Sequence, residues 1–458
     1  MNRLKVQDKK IDNLLESEEQ RQSSKLQLIP SENYTSRAIR RAVGSVIMHK
    51  YSEGSVGNRY YEGNEMVDQI EELCKNRARK VFDLPKDWQV NVQALAGSNA
   101  NIAVYNALLN PGDKILSMYL PDGGHLSHGW SWPDLGLAGE KDKKVYKGTN
   151  KIISLVAKFF EVIQYKVDKE TKLFDYDEIE RIAAQEKPKL IISGGTAYPR
   201  EIDHKRLAQI AASVRAYYLA DIAHEAGLVA GDICQNPVGI ADVVTMTTHK
   251  TLRGPRGAII LSRGDLAQAI DRAVFPGIQG GPFNNNIAGI AVCLKEAMAD
   301  SFKQYAAQMI KNAQALADRL IELEFDVLTG GTDKHLLVID LRSKNLAVGI
   351  KESTSAGRYF ARALDTAGIT TNKNTVPFET GSAVDPSGIR LGTPTVTTRG
   401  MKEKEMVQIA EWMNKVMEIT RKYCELDFEN FENKLKTDPE ILAIRKEVAA
   451  LCRKFPLE

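Results

Sequence analysis

From about residue 65 onward, short β-rich runs alternate with helix-length amphipathic stretches, and this alternation restricts the fold more than any other feature of the chain. VNVQAL, KILSM, KLIISG, AYYLAD, VVTM and AIILS read as strands. Between them lie helical patterns such as MVDQIEELCKNRARKVF, AGSNANIAVYNALL and HKRLAQIAASV. Strands separated by helices pair in parallel, so the chain is predicted to be α/β, with a mostly parallel sheet covered by helices. The pattern restarts after about residue 290. NIAGIAVCLKEAMADSFKQYAAQMIKNAQALADRLIEL reads as one long helical region, and LLVIDL and SGIRLG as strands of a smaller α/β unit. The expected organisation is an N-terminal segment over 1–60, a large domain over 61–290 and a smaller C-terminal domain over 291–458. Residues 1–20 read as a charged helix with Ile11, Leu14 and Leu15 on one face.

With 458 residues, 43% of them hydrophobic, the chain has ample material for more than one core. The net charge of +3 comes from basic residues dispersed among acidic ones, so no basic arm points to nucleic acid. No apolar run approaches the roughly 20 residues of a membrane span, and the first 20 residues lack a signal-type apolar core. The five cysteines have no CxxC spacing and read as reduced thiols of a cytoplasmic protein. The seven histidines show no metal-ligand spacing, so no metal is expected. Residues 27–64, with KYSEGSVGNRYYEGNE at their end, are too polar for a core and too rich in Gly and Tyr for a plain linker. Residues 131–150 read as an exposed loop insertion.

Ligands of an open α/β sheet bind beyond the carboxyl ends of the strands. That rule selects Asp221 at the end of AYYLAD with His224 after it, and Lys250 after ADVVTMTTH. It also selects Gly97-Ser98 after VNVQAL, and His125 after KILSMYL. Taken singly, each has an ordinary reading as a solvated charge, a turn residue or a helix cap. Together they match pyridoxal phosphate: a lysine to form a Schiff base, an acid to pair with the pyridinium nitrogen, and a helix start for the phosphate. Thr247, Thr248 and His249 before the lysine, and Gly254-Pro255-Arg256-Gly257 after it, set it apart from a surface lysine. A cation such as Arg256 lowers a neighbouring amine's pKa. His125 suits stacking on a ring face. Arg390 in SGIRLGTP suits bidentate binding of a substrate carboxylate.

LIPSENYTS, KYSEGSVGNRYYEGNE, GGHLSHG, LADIAHEAGL, TTHKTLRGPRG, VFPGIQGGP, GGTDKHLLVIDL and SGIRLGTP resemble serine hydroxymethyltransferase, from about residue 12 to about 455. The resemblance implies a fold type I pyridoxal-phosphate enzyme working as a homodimer, or a tetramer, with sites at the interface. Its substrates would be serine, glycine and tetrahydrofolate. Lys250 would hold the cofactor covalently, Asp221 would pair with its ring nitrogen and His125 would stack on it. His224 and Thr196 would lie near the ring, with Thr247, His249 and Arg256 around the lysine. Gly97 and Ser98 would bind the phosphate, aided by Gly280 and Gly281 of a second chain. Arg390 would grip the substrate carboxylate, with Ser31 and Tyr61 beside it. Tyr51 and Glu53 would enter from the other subunit, Glu53 as the acid/base for the serine hydroxyl. Tyr60, Leu120, Gly123, Gly124, Leu126 and Asn374 would line the pterin pocket.

Three departures from the family pattern stand out. Ala96 occupies a usual Ser position in the phosphate turn, which removes one hydroxyl contact of roughly 1.5–3 kcal/mol. Pro30 replaces the usual Ala and stiffens the approach to Ser31. The 131–150 insertion follows GGHLSHG closely. Two other readings are a folate-independent, threonine-type aldolase, which the folate-side matches Glu53, Tyr60 and Asn374 oppose, and a non-catalytic regulator of the same fold, which the intact Lys250, Asp221 and Arg390 oppose.

Overall fold

A computed structural model describes residues 6–131, 146–147, 154–342, 356–379 and 384–457. The chain divides into two compact units, one of residues 33–308 and one of residues 1–32 with 309–458. These lines differ from the 60/61 and 290/291 suggested by composition. Leu26–Gln27 pairs in parallel with Ile369–Thr370, which places the first residues with the last. The other line falls inside the helix Asp300–Glu322.

The 33–308 unit is built on an eight-stranded sheet. Its strands are Trp88–Asn91 (β1), Lys114–Met118 (β2), Tyr146–Lys147 (β3), Glu161–Tyr165 (β4), Leu190–Ser193 (β5), Tyr217–Asp221 (β6), Val243–Thr247 (β7) and Ala258–Arg263 (β8). Across the sheet the order is β1-β8-β7-β6-β5-β2-β4-β3. From β7 to β4 every neighbouring pair is parallel. β8 runs antiparallel to both β7 and β1, and β3 runs antiparallel to β4. The predicted, mostly parallel α/β architecture is therefore the observed one. β4, EVIQY, is a strand that the sequence reading passed over, because Glu161 and Gln164 interrupt its apolar pattern. β1 begins two residues before VNVQAL, so Val92–Leu95 already leaves the sheet toward the helix Gly97–Leu108 (α1).

Every residue of β7 is buried, as expected for a parallel strand covered on both faces. On one face Ile192, Leu219, Val243 and Ile260 join Ala100, Val104 and Tyr105 of α1 in a single core. The long helical region predicted after residue 286 is two helices, Asn284–Ala297 and Asp300–Glu322. Asp300 opens the second, a residue type that favours helix starts over helix interiors.

The other unit contains an antiparallel sheet of Asp326–Val327, Leu336–Asp340, Gly388–Gly392 and Asn372–Asn374, in that spatial order. Its core includes Leu26, Leu28, Leu316, Ile339, Phe360, Ile389 and Trp412. The first helix runs over Lys9–Ser24 and leaves Ile11, Leu14 and Leu15 exposed. The 131–150 insertion lies outside the described residues except for Ser131 and β3. Among the described residues, no helix is long and apolar enough to cross a membrane.

Candidate active site

β6 and β7 end side by side, with Thr245 opposite Asp221 in register. Beyond β7 the chain closes a tight turn. Thr248 Oγ1 donates to the Pro255 carbonyl at 2.6 Å, and the Gly254 N–H donates to the Thr248 carbonyl at 2.6 Å. Lys250 lies within this turn and is only 7% exposed. Its carbonyl accepts from Asn33 Nδ2 at 2.9 Å and from the Arg253 N–H at 3.1 Å. The lysine thus departs from a strand tip on a loop braced at both ends. His249 is half-buried; burial, then the charges of Lys250 and Arg256, pull its imidazole down to about 3. Arg256 itself is exposed.

Asp221 is buried at the tip of β6. Burial pushes its carboxyl up. Against that act the hydrogen bond and charge of His128 and a hydrogen bond from Asn101, and the balance holds it well below the usual carboxylate range. Oδ2 accepts from Asn101 Nδ2 at 2.7 Å and from His128 Nε2 at 3.0 Å, while Oδ1 accepts from the Ala223 N–H at 3.0 Å. Gly194 has φ +122°, and a Cβ there would lie 2.2 Å from the Asp221 carbonyl oxygen. Glycine is therefore required at the end of β5. His125, His128 and Asp221 bring three metal-ligand-type atoms within 4.8 Å of one another, a grouping that the sequence spacing had not marked. In this structure the Asp221 oxygens are occupied by hydrogen-bond donors, so the group serves as a carboxylate fixed in its ionised form.

Around this carboxylate stand the other expected residues of the unit. His224 is buried, and its Nε2 lies 3.3 Å from Thr196 Oγ1. Thr247 Oγ1 donates to the Ala223 carbonyl at 3.2 Å. Gly97 opens α1 beside Thr247, whose Cγ2 would lie 2.6 Å from a Cβ at position 97. The N-cap residue, Ala96, has no side-chain capping bond, so it leaves the first N–H groups at Gly97 and Ser98 uncapped. An ionised carboxylate and a buried lysine on adjoining strand ends, with an uncapped helix start packed against Thr247, fit pyridoxal phosphate. The expected pterin-lining residues Leu120, Gly123, Gly124 and Leu126 form the next turn. The Gly123 carbonyl accepts from the N–H groups of Thr196 and Ala197 at 2.7 and 3.1 Å, and Leu126 is exposed.

A second group in the same unit gathers Tyr51, Glu53, Tyr60, Tyr61, Gly280 and Gly281. A Cβ at Gly280 would lie 3.3 Å from Glu53 Oε1, and one at Gly281 would lie 3.5 Å from the Tyr51 ring. The Tyr51 and Tyr61 rings meet edge-on at 5.3 Å, and all three tyrosines are exposed. The Gly54–Arg59 hairpin is anchored by Arg59, which donates to Asp68 at 2.8 Å, to Glu71 at 2.7 Å and to the Ser52 and Gly54 carbonyls. In the other unit, Arg390 is central to its sheet, paired with Val338 on one side and Asn372 on the other. Burial pulls its guanidinium down to about 10, and its Nε donates to Asn372 Oδ1 at 3.1 Å. Asn374 lies on the edge strand, opposite Gly388. The Gly392 N–H donates to the Leu28 carbonyl at 2.8 Å, which brings Ser31 close to the end of the strand bearing Arg390.

Sequence reasoning missed Asn101, Ser127, His128 and Thr245. Two signals were available. GGHLSHG contains a second histidine three residues after the first, and Asn101 is the one amide among the buried residues Ala100, Ala103, Val104 and Tyr105 of α1.

The profile of the family described as Serine hydroxymethyltransferase matches residues 4–413. A serine hydroxymethyltransferase of Acidothermus cellulolyticus is 48% identical over 413 residues, covering 90% of this chain and 89% of its own. One of Desulfotalea psychrophila is 46% identical over 457 residues, covering 100% of this chain and 96% of its own. Serine hydroxymethyltransferase 3, chloroplastic, of Arabidopsis thaliana is 42% identical, covering 98% of this chain and 83% of its own. With a matching family model over residues 4–413 and likeness along nearly its full length, the chain belongs to the serine hydroxymethyltransferase family.

Proposed function

We propose that the chain is a pyridoxal-phosphate-dependent transferase of fold type I. It moves the serine hydroxymethyl group reversibly to tetrahydrofolate, giving glycine and 5,10-methylenetetrahydrofolate. The observation that carries this reading is the ionised Asp221 at the tip of β6 together with the buried Lys250 on the braced turn after the neighbouring β7. Bound there, pyridoxal phosphate supplies an electron sink for the bonds at the substrate α-carbon. The protein's own groups do the rest. Asp221 keeps a proton on the ring nitrogen, and the Lys250 amine anchors the cofactor and exchanges protons at Nζ. His125 would stack on the ring, with His224, Thr196, Thr247, His249 and Arg256 near it. The α1 N–H groups at Gly97 and Ser98 take the phosphate. Arg390 binds the serine carboxylate bidentately, with Ser31 and Tyr61 beside it. Glu53 accepts and returns the proton of the serine hydroxyl. Tyr60, Leu120, Gly123, Gly124, Leu126 and Asn374 line the pterin site.

Homodimeric assembly follows from the same reading. The exposed tyrosines, Glu53, Gly280 and Gly281 form one surface group that would serve a neighbouring chain's site, and aromatic residues are favoured at such contacts. A cytoplasmic location accords with the reduced-thiol reading of the cysteines. The test is serine turnover with and without tetrahydrofolate, together with borohydride reduction and peptide mass analysis. Folate-dependent turnover and a cofactor-sized mass on Lys250 are expected. Equal turnover in both conditions would support the aldolase reading, and an unmodified Lys250 would exclude this assignment.

A further inference from the structure

We propose that Asn101 is a positioning residue for the cofactor. Its one buried amide would set the Asp221 carboxylate and the His125 imidazole in a common frame. The inference rests on the functional reading above. Asn101 is 1% exposed and uses its amide fully. Nδ2 donates to Asp221 Oδ2 at 2.7 Å and to Ser127 Oγ at 2.9 Å, and Oδ1 accepts from Thr245 Oγ1 at 2.7 Å. An ionised carboxylate only accepts, so the amide face toward Asp221 must be the NH2. The Thr245 hydroxyl then fixes the opposite, carbonyl face.

The second amide proton occupies Ser127 Oγ, which directs the Ser127 hydroxyl proton to His125 Nδ1 at 2.8 Å. The Ser127 backbone N–H points at the same nitrogen, 3.2 Å away. Two donors on Nδ1 leave the neutral ring's proton on Nε2. Donors therefore run in one direction, from Thr245 through Asn101 to both the carboxylate and the imidazole. The chain of bonds is anchored at both ends. Thr245 and Asp221 are register partners on β7 and β6. The turn bearing His125 and Ser127 is tied down by Tyr105 OH donating to the Ser127 carbonyl at 3.0 Å and Ser117 Oγ donating to the His128 carbonyl at 2.9 Å. A strand-borne acid and a loop-borne imidazole, which must meet the edge and the face of one ring, thus share a single reference group.

The simpler alternative is that Asn101 is only a satisfied core amide. Asn312 in the other unit is such a residue, fully buried and donating to Thr397 Oγ1 and the Met401 carbonyl at 2.9 Å each. The experiment compares Asn101→Leu, Thr245→Val and Asn312→Leu with the unaltered protein. Each is resolved and titrated with pyridoxal phosphate, the visible circular dichroism of the bound cofactor is recorded, and histidine side-chain 15N spectra are taken without cofactor. Asn101→Leu is expected to raise the cofactor Kd at least tenfold, about 1.4 kcal/mol. It should also weaken the dichroic band and give His125 mixed tautomers. Thr245→Val should shift all three the same way to a smaller extent. Asn312→Leu should lower the melting temperature and leave all three unmoved. A folded Asn101→Leu protein with Kd within twofold, unchanged dichroism and an unchanged His125 tautomer overturns the proposal. If that variant does not fold, Thr245→Val decides, and no change in it has the same force. Unaltered protein that takes up no pyridoxal phosphate overturns the functional reading itself.

Discussion

Lys250 is expected to be indispensable to the reaction and dispensable to the fold, because the hydrogen bonds from Asn33 and Arg253 that brace its turn go to its backbone carbonyl, which alanine keeps. Lys250→Ala should keep its far-ultraviolet dichroism while serine turnover beyond a single cycle is lost. Arg390→Ala leaves a substrate carboxylate unpaired. The kcat/KM for serine should fall more than tenfold, about 1.4 kcal/mol, in steady-state assays. His249 gives a pH dependence of known sign. Its folded pKa is about 3, against 6.5 in an unfolded chain. Between those values the unfolded chain holds a proton that the folded chain lacks, so this contribution to stability is full above pH 6.5 and is lost as pH falls toward 3. Urea midpoints of the cofactor-free protein at about pH 4 and about pH 7 should differ less in His249→Gln. Asp221 acts in the same direction lower on the scale. Its depressed pKa contributes stability that is present above the ordinary aspartate range and lost below it.

The Arg59 anchor illustrates what an element requires. Its side chain and that of Glu71 are 4% and 0% exposed, and Glu71 also receives Lys75 at 2.9 Å and both its oxygens accept from Gln93. Arg59→Ala removes one of two countercharges of a buried carboxylate and two donated hydrogen bonds to the 52–54 backbone. A loss of about 3 kcal/mol is expected, read as a lower denaturant midpoint. Legibility in the sequence followed the same physics. Strands such as VVTM and KILSM were readable because continuous burial demands continuous apolar residues. EVIQY was not, since its Glu161 is exposed and its Gln164 is buried with a hydrogen bond to the Met118 carbonyl. The predicted site residues were legible where a strand run ended in a chemically unusual residue, as at Asp221 and Lys250. Asn101, Ser127 and His128 were not, because their roles depend on which helix face and which turn meet Asp221. That information is tertiary and leaves only a faint polar mark on an apolar pattern.

For the whole molecule, the grouping of Glu53 with exposed tyrosines on one surface and of Lys250 with Asp221 at the strand tips leads to a mixing experiment. Lys250→Ala and Glu53→Ala chains, each inactive alone, should regain folate-dependent serine turnover after subunit exchange. A mixed dimer would contain one site with both residues intact. No recovery in verified hybrids would place Glu53 and Lys250 in the same chain's site. A further consequence comes from the pairing of Leu26–Gln27 with Ile369–Thr370, beside which Lys25 Nζ reaches Asp365, 340 residues away. During synthesis, the apolar Leu26 and Leu28 leave the ribosome long before their partners are translated. The 33–308 unit can settle first, while the opening segment waits, uncovered, for nearly the entire message to be read. A ribosome stalled between residue 308 and Ile369 would therefore carry a nascent chain with a well-formed sheet and a sticky, unsheltered opening segment, a natural target for chaperones that bind extended apolar peptide.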